Sequence, residues 1–316
     1  MGTATKVPQT GTMPRDELSA DDAWRTLKRT GEWALVRDSF RRFRYADGFS
    51  HSRALALQVL LAAIPGAIAA VGLSATMHQS KVSEVVRRTL SELTPGSTKE
   101  VVSRTLSNSK HAGSGGSLAL WLGLLFAVVA VTTAMGQIER GANRIYGVER
   151  DRPTMKKYAR ALLMAGTAGL LMTLGALLLI AGPAIGSAMA DVYGWSERTQ
   201  NLWGWARWPL GVLLVLGSVT VIFRHSPRRP QPGLTWLAFG GALTLVLWLL
   251  FTWLLGLYAQ NSSTFGTTYG PLTGVMALIL WAYLTSLAIF FGLAFASQLE
   301  SCRTNNPGPV LPDPGP

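Results

Sequence analysis

LTWLAFGGALTLVLWLLFTWLLGL, Leu234–Leu257, is a run of 24 residues without a single Asp, Glu, Lys or Arg. A helix on the surface of a soluble protein keeps a charged face opposite its apolar stripe, and this stretch has none. About 18 or more uncharged apolar residues form a helix long enough to cross a hydrocarbon layer of about 30 Å. Lipid offers the backbone no water to bond, so such a run must close its hydrogen bonds on itself as an α-helix. The stretch reads as a membrane span.

Five more charge-free runs lie to either side: Ala54–Thr76, Leu118–Gln137, Ala161–Ala181, Trp208–Phe223 and Pro271–Ala296. The third is open to continuation past Pro183, and the Trp208 run is the shortest. Bulk composition agrees, with 48% hydrophobic and 15% charged residues and a mean hydropathy of +0.26. The expected fold is all-α, a polytopic six-transmembrane-helix bundle with amphipathic interfacial helices in its loops. The first run starts only at Ala54, behind a charged segment, and is too long for the apolar part of a signal peptide.

Basic residues orient the bundle. The segment through Arg53 holds ten Lys and Arg, the loop after span two seven, the loop after span four three, and the C-terminal tail one. The three alternate loops hold six, two and none. By the positive-inside rule both termini are expected in the cytoplasm of a bacterium, below its cytoplasmic (inner) membrane. The net charge of +12 then reflects anchoring to the anionic cytoplasmic leaflet. Nucleic acid is not an expected partner.

Four regions are expected along the chain. Residues 1–22 read as a disordered tail. Residues 23–53 interleave Trp24, Phe40 and Phe43 with arginines, which fits a basic amphipathic helix on the leaflet or a solvated juxtamembrane segment. Residues 54–300 are the membrane domain, and 301–316 a Pro-rich tail. Between spans one and two, Val82, Val85, Val86, Leu90 and Leu93 share a helical face. Thr94-Pro95-Gly96 then breaks the chain, and GSGG at 113–116 reads as a flexible connector. Residues 184–207, with three tryptophans, read as an interfacial segment.

The inventory of reactive groups is thin. One cysteine, Cys302, excludes a disulfide within the chain, and no HExxH, CxxC, GxSxG or P-loop pattern occurs. Glu139, Glu149 and Asp151 each have an arginine beside them, which reads as salt-bridged anchoring and not a metal-bound nuclease site. No enzyme, metal or cofactor is expected. The apolar runs carry no ionisable residue, so the candidates for a cavity or route are uncharged: Gln58, Gln137, Asn261, Thr268, Tyr269 and Gly270. The last four belong to Ala259–Gly274, a Gly- and Thr-rich loop that is either a lid over the outer mouth or a tight turn, with Pro271 suited to the first turn of span six. Gly292 and Ala296 have the spacing that permits close helix packing.

Three segments resemble the YihY / virulence factor BrkB family of bacterial membrane proteins. They are ANRIYGVERDRP (142–153), the array from ARWP (206–209) to FRHSPRRP (223–230), and the stretch from Tyr258, Asn261 and TYG (268–270) to LILWAYLTSLAIFFGLAFASQLE (278–300). The resemblance implies a six-span inner-membrane protein and marks Asn143, Arg144, Tyr146, Gly147 and Pro271 as structural or anchoring motif residues. It implies transport or envelope-lipid handling and not the ribonuclease activity once attached to the family. Two departures stand out. The family's GAEL pattern in span six becomes Gly292-Leu293-Ala294, and its first-span YYALLSLFP becomes QVLLAAIP (58–65). The expected function is a transporter or lipid-handling protein for an uncharged or amphipathic substrate. The alternatives are a non-transporting scaffold with envelope protein partners and, behind it, a ribonuclease.

Overall fold

The computed structural model describes residues 7–12, 19–76, 85, 88, 114–261, 272–304 and 308–311, and every regular element among them is helical. Helices α1 (Ala20–Thr30) and α2 (Glu32–Tyr45) precede α3 (Gly48–Thr76) and α4 (Ser114–Ile145). Next come α5 (Thr154–Met164) and α6 (Leu170–Ile180), joined by a π-helical turn at Ala165–Gly169. The chain ends with α7 (Gly182–Tyr193), α8 (Glu197–His225), α9 (Leu234–Asn261) and α10 (Leu272–Arg303). Six stretches are long and apolar enough to cross a membrane: Gly48–Ala69, Leu120–Ile145, Thr154–Ile180, Glu197–His225, Leu234–Tyr258 and Val275–Arg303. The all-α, six-span architecture expected from the apolar runs is the one observed.

The helices outrun those apolar runs. The run beginning at Trp208 belongs to a helix that starts at Glu197, where the Ser196 side chain accepts from the Thr199 N–H, and that passes straight through Pro209. An interior proline forfeits one backbone hydrogen bond, which an apolar helix held by its neighbours tolerates. The third run stops at Ile180, and Pro183 opens the new helix α7. Ser114 to Gly116, read as connector, lie in the first turn of α4. Of the helical face expected around Val82–Leu93 the described residues are Val85 and Arg88, both helical, while the Thr94-Pro95-Gly96 break and the 262–271 loop lie outside the described residues.

Val7 and Thr10 are buried. Helix α1 starts at Ala20 behind a reciprocal cap, in which Ser19 Oγ accepts from the Asp22 N–H while Asp22 Oδ2 accepts from the Ser19 N–H. Such a cap satisfies two donors that the first turn would otherwise leave open. In α2, Leu35, Ser39, Arg42 and Phe43 face the bundle, while Trp33, Phe40 and Tyr45 face outward, Trp33 at 80% exposure. An arginine thus points in and three aromatics point out.

Helix α10 is the central post, packed against α9, α3, α2 and α4, while α3 runs along α4 and α8 packs on α6. The α9–α10 crossing is close because both helices present glycine there. A Cβ on Gly240 would sit 2.6 Å from the Gly292 carbonyl, and one on Gly292 would strike Thr244 Oγ1. The largest fully buried side chains, among them Trp236, Arg42, Tyr146, Phe43, Phe223 and Phe290, gather where α2, the ends of α4, α8 and α10 and the start of α9 meet. Farther along the spans, Trp121, Leu125, Leu213 and Trp253 are exposed, as side chains that meet lipid tails would be.

Candidate functional site

Two polar constellations stand out in this apolar molecule. The first lies between α3 and α4. Thr133 Oγ1 donates to Gln58 Oε1 at 2.8 Å, and the Gln137 amide nitrogen lies 3.1 Å from His51 Nδ1. On α3 the two positions are seven residues apart, on α4 four, so the pairs form successive rungs of one antiparallel seam. All four side chains are half-buried. The seam brings together Gln58 and Gln137, which the sequence named separately, and adds His51 and Thr133. Of the remaining route candidates, Asn261 is the last residue of α9, and Thr268, Tyr269 and Gly270 lie outside the described residues, as does Pro271.

The second constellation fills the end of the bundle that holds residues 7–11, the α4–α5 turn, the α8–α9 turn and the end of α10. At its centre is Arg42, wholly buried. Its Nε donates to Gln298 Oε1 at 2.9 Å, and its Nη2 to Ser301 Oγ at 2.9 Å. Its Nη1 donates to Thr10 Oγ1 at 2.8 Å, Ser297 Oγ at 2.9 Å and the Ile145 carbonyl at 3.1 Å. Every one of these acceptors is neutral. Burial draws the guanidinium down to about 10, so it is charged at neutral pH. Beside it Arg229 grips both carboxylate oxygens of Glu300, at 2.6 and 3.1 Å, with 3% and 1% side-chain exposure. The same guanidinium lies 4.7 Å from the centre of the Tyr146 ring and donates to the Gly11 carbonyl at 3.0 Å. Burial, then the charge of Glu300, pushes the Tyr146 phenol up, so it remains neutral; its buried hydroxyl has no partner among the described residues.

An ionic knot adjoins this centre and joins the two motifs ANRIYGVERDRP and FRHSPRRP. Asn143 donates to Asp151 Oδ1 at 2.8 Å and accepts the Arg228 N–H at 2.7 Å. Arg152 pairs with Glu139 at 3.0 Å and donates to the carbonyls of Ser226 and Pro227. Lys157 closes on Asp151 at 3.0 Å. Burial raises the Asp151 carboxyl, but hydrogen bonds from Asn143 and Lys157 and the nearby charges outweigh it and hold it below its usual 3.8. Glu139 and Asp151 are thus engaged by cations, and among the described residues no group of three or more His, Cys, Asp or Glu is placed to hold a metal ion.

The motif residues have distinct places in this knot. Asn143 is the link between the two turns, Tyr146 carries Arg229, and Arg144 is half-buried with one buried Nη1 that has no partner among the described residues. Gly147 has φ +70°, a left-handed value that favours glycine, and a Cβ there would sit 2.7 Å from the backbone of Pro8 and Gln9. Sequence reasoning missed Thr10, Arg42, Arg229, Ser297 and Glu300 as a group. A signal for Arg42 was present: it shares helical spacing with Leu35, Ser39 and Phe43, the buried face of α2. Glu300 also supplies a buried acid on α10, where the GAEL position itself holds Ala294.

Comparison with known proteins adds a third line. A family profile described as Virulence factor BrkB matches residues 39–312, which include Arg42, Tyr146, Arg229 and Glu300 but not residues 7–11. A protein named ribonuclease-like YfkH, of Bacillus subtilis, is 23% identical over 259 residues, covering 82% of this chain and 92% of its own length. A UPF0761 membrane protein of Xanthomonas campestris is 26% identical over 279 residues, covering 84% of this chain but only 61% of its own length. Another from Xanthomonas axonopodis is 26% identical over 282 residues, with 62% of its length covered. No solved structure matches. Six membrane-length helices, two motifs knotted at one end and a profile spanning most of the sequence agree: this chain is a membrane protein belonging to the virulence factor BrkB family.

Proposed function

We propose that the protein is a multi-pass protein of the bacterial inner membrane that moves or handles lipid or another uncharged or amphipathic molecule along the α3–α4 seam. The observation that carries this reading is the pair of rungs Gln58–Thr133 and Gln137–His51. Two half-buried amides in spans otherwise apolar are costly to keep unless they have polar partners. Neutral partners of this kind can be exchanged for the polar part of a substrate without transferring a charge. Both termini face the cytoplasm in this reading. It is supported by the gathering of the three most basic segments, the described residues of 7–53, residues 138–160 and residues 224–229, at one end of the bundle. Trp33, Phe40 and Tyr45, interspersed with Arg37, Arg41 and Arg44 on the outward side of α2, suit the headgroup layer of an anionic leaflet.

The test is translocation of fluorescent phospholipid in liposomes that contain the purified protein, against empty liposomes. Acceleration by the wild type, with at least about a tenfold loss in Gln58→Leu and Gln137→Leu at equal reconstitution, is the expected result; tenfold corresponds to about 1.4 kcal/mol of barrier. Equal flux in all three proteins removes the seam as the route. No flux from any of them, together with crosslinking to one stoichiometric envelope protein, replaces the proposal with a scaffold.

A further inference from the structure

Among the described residues, the charges buried around Arg42 do not balance. Arg42 and Arg229 are two cations, and Glu300, taken up on both its oxygens by Arg229, is among the described residues the one carboxylate bonded to either of them. Among the described residues, Arg42 makes its hydrogen bonds to hydroxyl, amide and carbonyl oxygens alone. Two of the oxygens around these guanidiniums come from consecutive residues of the N-terminal strap, residues 7–11. Thr10 Oγ1 accepts from Arg42 Nη1 at 2.8 Å, and the Gly11 carbonyl accepts from Arg229 Nη2 at 3.0 Å. One short piece of chain therefore bridges two buried guanidiniums with a pair of neutral oxygens. Ser297 Oγ stands 2.9 Å from both Thr10 Oγ1 and Arg42 Nη1, and Ser301 Oγ stands 2.9 Å from Arg42 Nη2.

We propose that the Arg42–Arg229 bridge is a phosphate-binding site, and that Thr10 and Gly11 are its built-in competitor. A phosphate group replaces both strap oxygens at once and brings the negative charge that the buried set lacks. Planar guanidinium forks suit its oxygens, and the two serine hydroxyls turn to donate to it. Binding and release of the strap are then one event, because the phosphate and residues 10–11 claim the same donors. The group is either that of a lipid headgroup or that of a soluble phosphate. The site is independent of the α3–α4 seam, so the fate of one proposal does not decide the other.

The first test uses the full chain in maltoside micelles and places an anion in the strap. Thr10→Asp sets a carboxylate where the hydroxyl sits. It should raise the thermal midpoint above that of the wild type, and the gain should vanish in Thr10→Asp/Arg42→Gln. A lower midpoint for Thr10→Asp, or a gain indifferent to Arg42→Gln, overturns the proposal. The second test removes residues 2–12. Inorganic phosphate, at matched ionic strength in chloride, should raise the midpoint of this shortened protein saturably. The wild type should need about tenfold more phosphate or beyond, since the strap occupies the site. Added phosphatidylglycerol distinguishes the source: a response to the lipid alone assigns a headgroup, and a response to the free ion assigns soluble phosphate. No response to either, or one that survives Arg42→Gln, overturns the proposal. Should the shortened protein fail to fold, the Thr10→Asp comparison in the full chain decides by itself.

Discussion

At the scale of single residues, the Arg229–Glu300 pair is nearly solvent-free, and breaking such a pair on one side leaves a charge stranded. Arg229→Met should cost about 3–5 kcal/mol of stability, and Arg229→Met/Glu300→Leu should recover most of it, because a buried pair exchanged for apolar side chains is often neutral. Denaturant titration of the two variants in micelles checks this. Equal losses in single and double mutant would mean that Arg229 acts through Tyr146 or Gly11 instead. Asp151 gives a pH dependence whose sign follows from its lowered pKa. Its carboxylate contributes to folding in full above the unfolded value and loses that contribution as pH falls through the folded one. The wild type should therefore lose thermal stability between about pH 5 and pH 3. Asp151→Asn, weaker at neutral pH because Lys157 loses its partner, should converge with it in acid. Parallel curves would show that the knot is indifferent to this carboxylate. Residues such as Gln58 and Gln137 were legible in the sequence because a polar amide stands out in an apolar run. Arg42 left a trace in the helical spacing it shares with Leu35, Ser39 and Phe43, but its role, like that of Thr10, comes only from distant partners.

At the scale of elements, the α9–α10 crossing depends on the absence of two side chains. Gly292→Ala puts a methyl against Thr244 Oγ1 and the Gly240 carbonyl and should cost about 1–3 kcal/mol by overpacking. Thr244→Ala added to it should restore only part, because the Gly240 carbonyl stays 2.6 Å from the new Cβ. A Gly292→Ala protein with an unchanged midpoint would show that the helices can part at no cost. The small-xxx-small spacing of Gly292 and Ala296 was visible in the sequence, but its partner Gly240 on α9 was not, since spacing names a face and not what lies against it. Helix ends were the least legible feature. Apolar runs mark where lipid must be met, whereas Ser196 and the packing of Trp203 on Gly182, to whose carbonyl it donates at 2.8 Å, extend α8 well before its run begins.

At the scale of the whole molecule, orientation is the quantity to measure. Cys302 is a poor reporter because it is 9% exposed. In a Cys302→Ala background, Glu149→Cys in the α4–α5 turn and Arg198→Cys at the start of α8 place exposed thiols at opposite ends of spans. An impermeant maleimide should label only the Arg198 variant in intact wall-free cells and both after permeabilisation. The reverse pattern inverts the proposed topology. The sequence by itself determined the number of spans, the helical class and the asymmetry of charge, because each follows from the local free energy of placing a side chain in lipid or water. The tertiary structure alone decided that Arg42 of α2 meets Ser297, 255 residues away, that residues 7–11 close over them, and that the two motif turns share one knot. Those contacts depend on which helix faces pack together, and a uniformly apolar helix carries little amphipathic pattern to announce its inward side.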